Sequence, residues 1–167
     1  MKQKKLTKIQ PRVSIICGSS SDYNLVRETE KILKKLKIKF DTRIVSAHRT
    51  PKRMFDWATN LHKKYTCCIA FAGGSASLPS VTAALSQGIP TIGVPVETSK
   101  LKGLDSILSM CMCPQGCPLA TMPIGKAGAI NAALFAAEII GTFDHKVKVN
   151  VLRWKRNQTQ SVKKRPK

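Results

Sequence analysis

The chain is short of acid. Against 29 lysines and arginines stand 9 aspartates and glutamates, a formal net charge of +20 over 167 residues. Aromatics are sparse too, at five Phe, two Trp and two Tyr. Long apolar runs are missing: none reaches the roughly 18 residues of a membrane-spanning helix, and residues 1–12 hold no apolar core of a secretory leader. These absences predict a soluble protein of the cytoplasm with no membrane partner. Neither the glycine spacing of a dinucleotide fold nor that of a phosphate-binding P-loop occurs. Cys111, Cys113 and Cys117 lie close together without a Cys-x-x-Cys pair or a nearby histidine, which excludes an ordinary zinc module.

The surplus of positive charge is unevenly spread. Residues 1–12 carry five Lys/Arg and residues 145–167 carry nine, with no acid in either stretch, so 14 of the 20 units sit at the ends. Residues 13–144 keep 15 Lys/Arg against 9 acids, or +6, which favours an anionic ligand without indicating a nucleic-acid groove. The ends are read as solvated tails, 1–11 and 158–167, around one domain at 12–157. Nucleic-acid binding by the basic ends is not expected, since Trp154 is the one aromatic that residues 1–12 and 145–167 offer for base stacking. The six cysteines are read as reduced thiols.

Between the tails the pattern alternates. Short apolar runs at Val13–Cys17 and Cys67–Ala72 read as strands, as do the extended segments Phe40–Val45, Thr91–Val94 and Leu119–Met122. Helical spacing follows Asp22, runs from Thr50-Pro51 to about His62, and recurs near Leu78–Ser86 and Lys126–Ile140. A further helix over Asp144–Gln158 would place Val147, Val151 and Trp154 on one face, expected to pack on a neighbouring subunit. Strands that are continuously apolar are buried on both faces, so the expected architecture is α/β, a three-layer αβα sandwich on a parallel five-stranded sheet plus a C-terminal helix. In such sheets ligands bind beyond the carboxyl ends of the strands.

Three loops lie at such ends. Gly18-Ser19-Ser20-Ser21-Asp22 combines a tight turn, hydroxyls and a helix start, which suits a phosphate or ribose as well as plain capping. Ser46-Ala47-His48-Arg49-Thr50-Pro51 sets an imidazole that can exchange a proton near neutrality beside a guanidinium that can fork onto a phosphate or carboxylate. His62 and His145 have no comparable setting. Ala72-Gly73-Gly74-Ser75-Ala76-Ser77-Leu78-Pro79 is built of small residues that would let a planar ligand approach the backbone.

These loops, with PTIGVPV at 90–96, GLDSILS at 103–109 and GKAGAINAALFAAEI at 125–139, resemble the class I N5-carboxyaminoimidazole ribonucleotide mutases from about residue 12 to 157. The resemblance implies a flavodoxin-like subunit in a homo-octamer, active sites shared between subunits, and no metal or organic cofactor. It implies an isomerase of purine (IMP) biosynthesis that moves a carboxylate from the exocyclic nitrogen of aminoimidazole ribonucleotide to ring carbon 4. His48 would be catalytic, shuttling one proton. Ser19 and Asp22 would contact the ribose, and Ser21, Ser46 and Arg49 the phosphate. Ala47 belongs to the same binding set, and Ala72, Gly73, Ser77 and Leu78 would line the imidazole and carboxylate end.

The chain departs from that pattern twice. Where the family commonly reads Gly-Gly-Ala-Ala-His-Leu-Pro-Gly, this chain has Ser77 in the histidine's place, and Cys111-Met112-Cys113-Pro114 stands where Val-Gln-Met-Pro is frequent. Two alternatives therefore accompany the mutase reading. One is a class II carboxylase that uses free carbon dioxide, and the other is a catalytically weakened nucleotide-binding homologue.

Overall fold

The computed structural model describes residues 12–165. Five parallel strands, β1 (Arg12–Cys17), β2 (Lys39–Ile44), β3 (Cys67–Ala72), β4 (Thr91–Pro95) and β5 (Leu119–Thr121), form one sheet in the order β2-β1-β3-β4-β5. Six helices accompany it: α1 (Tyr23–Lys35), α2 (Pro51–Ala58), α3 (Ser77–Leu85), α4 (Leu104–Cys111), α5 (Gly125–Gly141) and α6 (His145–Ser161). The fold is a flavodoxin-like αβα sandwich, and its strand order reverses between β1 and β3.

Alternation along the strands sorts the core into two layers. Val13, Ile15 and Cys17 of β1, with Cys67, Ile69 and Phe71 of β3, pack against α1, α5 and α6. Ile16, Cys68 and Ala70 face the other way, onto Met54, Ala58, Leu78 and Met110 from α2, α3 and α4. The alanines of α5 (Ala129, Ala132, Ala133, Ala136 and Ala137) are fully buried, so short side chains let this helix lie close on the sheet. At Gly128 a Cβ would stand 1.8 Å from the Pro123 carbonyl oxygen, which only a bare Cα tolerates.

Three elements differ from the sequence reading. The second helix ends at Ala58 rather than near His62, followed by a 3-10 turn at Leu61–Lys63. Thr59 and Asn60 explain the break, since their side chains donate to the carbonyls of Phe55 (2.8 Å) and Asp56 (2.7 Å) and compete with the helical backbone. Helix α4 carries no inward apolar stripe. Ser106 is buried, while Leu104 and Leu108 are about half exposed, at 53% and 51%. The sequence reading holds no helix there.

The third difference is α6. Val147 and Val151 are buried in the chain's own core and Trp154 packs against it, so this face is not left for a neighbouring subunit. Asp144 caps the helix by accepting from the Lys146 and Val147 amides, and Asn150 donates to the Leu36 carbonyl at the end of α1 (3.0 Å). The helix continues to Ser161, past the expected start of a tail at 158. The basic segment 1–11 lies outside the described residues, as do 166–167.

Candidate active site

The loops that follow β1, β2, β3 and β4 converge at the carboxyl ends of the strands and enclose a cleft of about 400 Å³. Gly18, Ser19 and Asp22 line it from the first loop, Ser46, Ala47, His48 and Arg49 from the second, and Ala72, Gly73, Ala76, Ser77 and Leu78 from the third. Ser21 is not among the lining residues. It is exposed, and its hydroxyl donates to Asp22 Oδ1 at 3.2 Å.

The second loop closes on itself. Ser46 N–H donates to Thr50 Oγ1 (3.0 Å), and the Thr50 hydroxyl and amide both return to the Ser46 carbonyl (3.0 Å each). This ring of bonds presents His48 and Arg49 to the cleft from a rigid base. Arg49 Nη2 reaches across to the Gly18 carbonyl at 2.5 Å, tying the second loop to the first. No carboxylate among the described residues forms an ion pair with Arg49, whose guanidinium donates to the Gly18 carbonyl and the Ser46 hydroxyl. Asp22, on the opposite wall, has its carboxyl raised above the usual range by burial, partly offset by hydrogen bonds from Ser21 and Ser19 and by the field of Arg49.

Across the cleft, Ser77 Oγ lies 2.9 Å from His48 Nε2. The two residues are 29 positions apart and meet because β1 separates their strands in the sheet while their loops lean over its end. Ser77 opens α3 immediately after Ala76, which adopts the left-handed conformation (φ 38°, ψ 35°) disfavoured for any residue with a Cβ. A strained residue that aims its neighbour into a cleft is a frequent mark of a functional site.

Helix α4 braces this wall from behind. The Ser106 hydroxyl donates to the Val96 carbonyl (2.8 Å) and accepts from the Gly74 amide (3.0 Å), and the Ser109 hydroxyl donates to the Ser75 carbonyl. Thr98 Oγ1 lies 3.0 Å from both Asp105 carboxylate oxygens. The GLDSILS segment thus links the third and fourth loops.

A family model described as AIR carboxylase matches residues 12–161. The chain belongs to the AIR carboxylase family. It is 43% identical over 155 residues to the N5-carboxyaminoimidazole ribonucleotide mutase of Brucella melitensis, covering 92% of this chain and 95% of that one. The mutase of Bacillus subtilis is equally similar at 43%, over the same shares. That of Escherichia coli is 40% identical over 93% of this chain and 92% of its own. Among solved structures, Treponema denticola PurE superposes with a TM-score of 0.81 at 28% identity, covering 90% and 92% of the two chains.

In this member of the AIR carboxylase family the fourth loop also reaches the cleft, through Val96, Glu97 and Thr98, which with Ala76 complete the lining. The sequence reading stopped at the third loop. The signal was available: these residues directly follow the strand ending at Pro95, and the strand-end rule applies to them equally. Among the described residues no group of three or more His, Cys, Asp or Glu is arranged to hold a metal ion.

Proposed function

We propose that this chain catalyses the conversion of N5-carboxyaminoimidazole ribonucleotide to 4-carboxy-5-aminoimidazole ribonucleotide in the cleft around His48. The observation that carries this reading is the imidazole held between a rigid loop and Ser77, next to an arginine with no ion-pair partner among the described residues, in a chain about 40% identical to named mutases. The same relatives favour the mutase over the direct carboxylase and the weakened binder.

The chemistry needs confinement and one proton. Loss of carbon dioxide from the exocyclic nitrogen, with His48 protonating that nitrogen, leaves aminoimidazole ribonucleotide and carbon dioxide side by side. Ring carbon 4 attacks the carbon dioxide, and the proton it then sheds returns to His48. The residues gain and lose nothing net. Holding the two fragments together is equivalent to a very high effective concentration, so few polar groups are required. In this reading Arg49 and Ser46 would hold the phosphate and Ser19 and Asp22 the ribose. Ala72, Gly73 and Leu78 provide the small, apolar end where the ring would lie.

Ser77 suits the shuttle in a particular way. A hydroxyl is both donor and acceptor, so Ser77 can donate to the neutral imidazole and accept from the protonated one without moving. A serine can therefore orient His48 in both of its charge states.

The assembly proposed is a cytoplasmic homo-octamer with sites shared between subunits. Support comes from α4, where Leu101, Leu104, Leu108 and Met112 recur at helical spacing and stay more than half exposed, an apolar stripe that a second copy would cover. The direct test mixes purified protein with freshly prepared N5-carboxyaminoimidazole ribonucleotide and follows the carbon-carboxylated product by absorbance. Product formation abolished by His48→Asn is the expected result. Tight binding without product would overturn it.

A further inference from the structure

The six thiols fall into two chemical classes. Burial pushes Cys17 up to about 11 and Cys67 up to about 12, and Cys68 well above its usual value, so these three are inert packing groups. Cys111 is exposed, and Cys113 and Cys117 are half-buried, all in the segment that joins α4 to β5.

A tight turn shapes that segment. The Cys117 amide donates to the Pro114 carbonyl at 3.1 Å, and Gly116 has the positive φ of 88° that such a turn requires at its third position. The turn thereby folds Cys113, which directly precedes Pro114, back toward Cys117. The Cys117 thiol in turn donates to the Ser80 carbonyl of α3 at 3.3 Å. Ser80 is one turn from Ser77, and its hydroxyl donates to the Ser77 carbonyl at 2.9 Å. A path of contacts runs from this dithiol to the residue that holds His48.

We propose that Cys113 and Cys117 form a reversible disulfide with low-molecular-weight disulfides such as oxidised glutathione, and that its formation releases the hold of Cys117 on α3. The thiolate of Cys117 attacks one sulfur of the oxidant, forming a mixed disulfide and expelling one glutathione thiolate. Cys113, its proton lost to solvent, attacks the Cys117 sulfur and expels the second. Two protein thiols are oxidised, one glutathione disulfide is reduced to two thiols, and the two protons end on those thiols. The Ser80 carbonyl then has no S–H donor. Cys113 is held back as an initiating nucleophile, since burial and the neighbouring thiols Cys117 and Cys111 raise it.

The formation of the bond is independent of the mutase reading; its effect on turnover rests on that reading. Intact protein is equilibrated with oxidised glutathione, and the mass, the free-thiol count and the differentially alkylated peptide are measured. That peptide is convenient, because no Lys or Arg separates the three cysteines between Lys102 and Lys126. The expected result is loss of two hydrogens and of two reactive thiols, reversed by dithiothreitol. It should be abolished in Cys113→Ser and Cys117→Ser and retained in Cys111→Ser. Mixed disulfides alone, or a pairing that requires Cys111, would overturn the assignment. Turnover of the oxidised wild type should fall roughly two- to fivefold and recover on reduction, with Cys113→Ser insensitive to the oxidant. A full disulfide with unchanged turnover would overturn the link to α3.

Discussion

Two concavities on this molecule invite comparison. The larger, about 630 Å³, lies beside α2 and the edge strand β2, lined by Arg43, Lys52, Arg53, Lys63 and Lys64 together with Trp57 and Tyr65. The smaller, about 400 Å³, is the cleft at the strand ends. Size and positive charge alone would select the first. Its polar groups, however, are largely answered from within. Arg43 pairs with Asp41 at 3.0 Å, the Tyr65 hydroxyl donates to the same carboxylate at 2.6 Å, Lys52 pairs with Asp56 at 2.7 Å, and Lys63 bonds Asn60 at 2.6 Å. In the cleft, Arg49 has no ion-pair partner among the described residues, and the half-buried Asp22 is raised by burial. A charge with no ion-pair partner in the protein is the one available to an anionic ligand, and that distinguishes a site from a charged surface.

The sharpest way to test the contrast is His48→Asn, which is expected to lower turnover by about 10²–10⁴ while substrate binding, followed by calorimetry, changes little. Next comes a matched pair of arginines. Arg49→Met should lower kcat/KM by about 10- to 100-fold, the worth of a charged hydrogen bond to phosphate. Arg53→Met, in the larger concavity, should leave it within about twofold. Equal losses from both would erase the distinction between the two regions. Ser77→Ala removes a single hydrogen bond to His48 and should lower kcat by roughly two- to tenfold, with a changed pH profile for kcat because the imidazole loses its fixed partner.

The smallest effects concern stability and should differ in sign. Asp41 is pushed up by burial, but the Tyr65 hydroxyl and Arg43 outweigh this and lower it below its ordinary 3.8. Its contribution is present above that ordinary value and is lost as pH falls through the lowered one. Asp41→Asn should therefore lower the unfolding temperature at neutral pH, by about 2–4 °C for a lost hydrogen bond of about 1 kcal/mol. Asp22 is raised above 3.8 mainly by burial, so any favourable contribution is complete below that value and disappears as pH climbs through the raised one. Asp22→Asn should raise the neutral-pH unfolding temperature by less than the Asp41 loss while weakening substrate binding. A shift of the same sign in both variants would show that Asp22 is structural.

Much of this was legible in the chain. The central strands β1, β3 and β4 are legible as apolar runs because burial on both faces demands continuous apolarity, while the edge strands β2 and β5, only partly buried, follow from the strand–helix alternation, and all five fall within a residue or two of expectation. The loops at 18–22, 46–51 and 72–79 stand out because strand ends rarely gather a glycine turn, an imidazole and a guanidinium without use. Helix α4 is hard to read because it is short and buries only Ser106 and Met110, which leaves little apolar stripe on its core-facing side. The faces of α6 were misjudged because spacing shows which residues share a face, not what that face meets.

The sequence by itself determined the alternation of strands and helices, and with it the edge of the sheet where a ligand must lie. Both follow from local periodicity and from the requirement that parallel strands be covered on each side. Only the tertiary structure decided which groups meet there. His48 and Ser77 come together, Glu97 and Thr98 join the wall, and Ser21 turns away, because strand order and loop direction are properties of the whole sheet. No window of residues contains them. A contact across 29 residues is set by which strands become neighbours, which is a global choice made by the packed core.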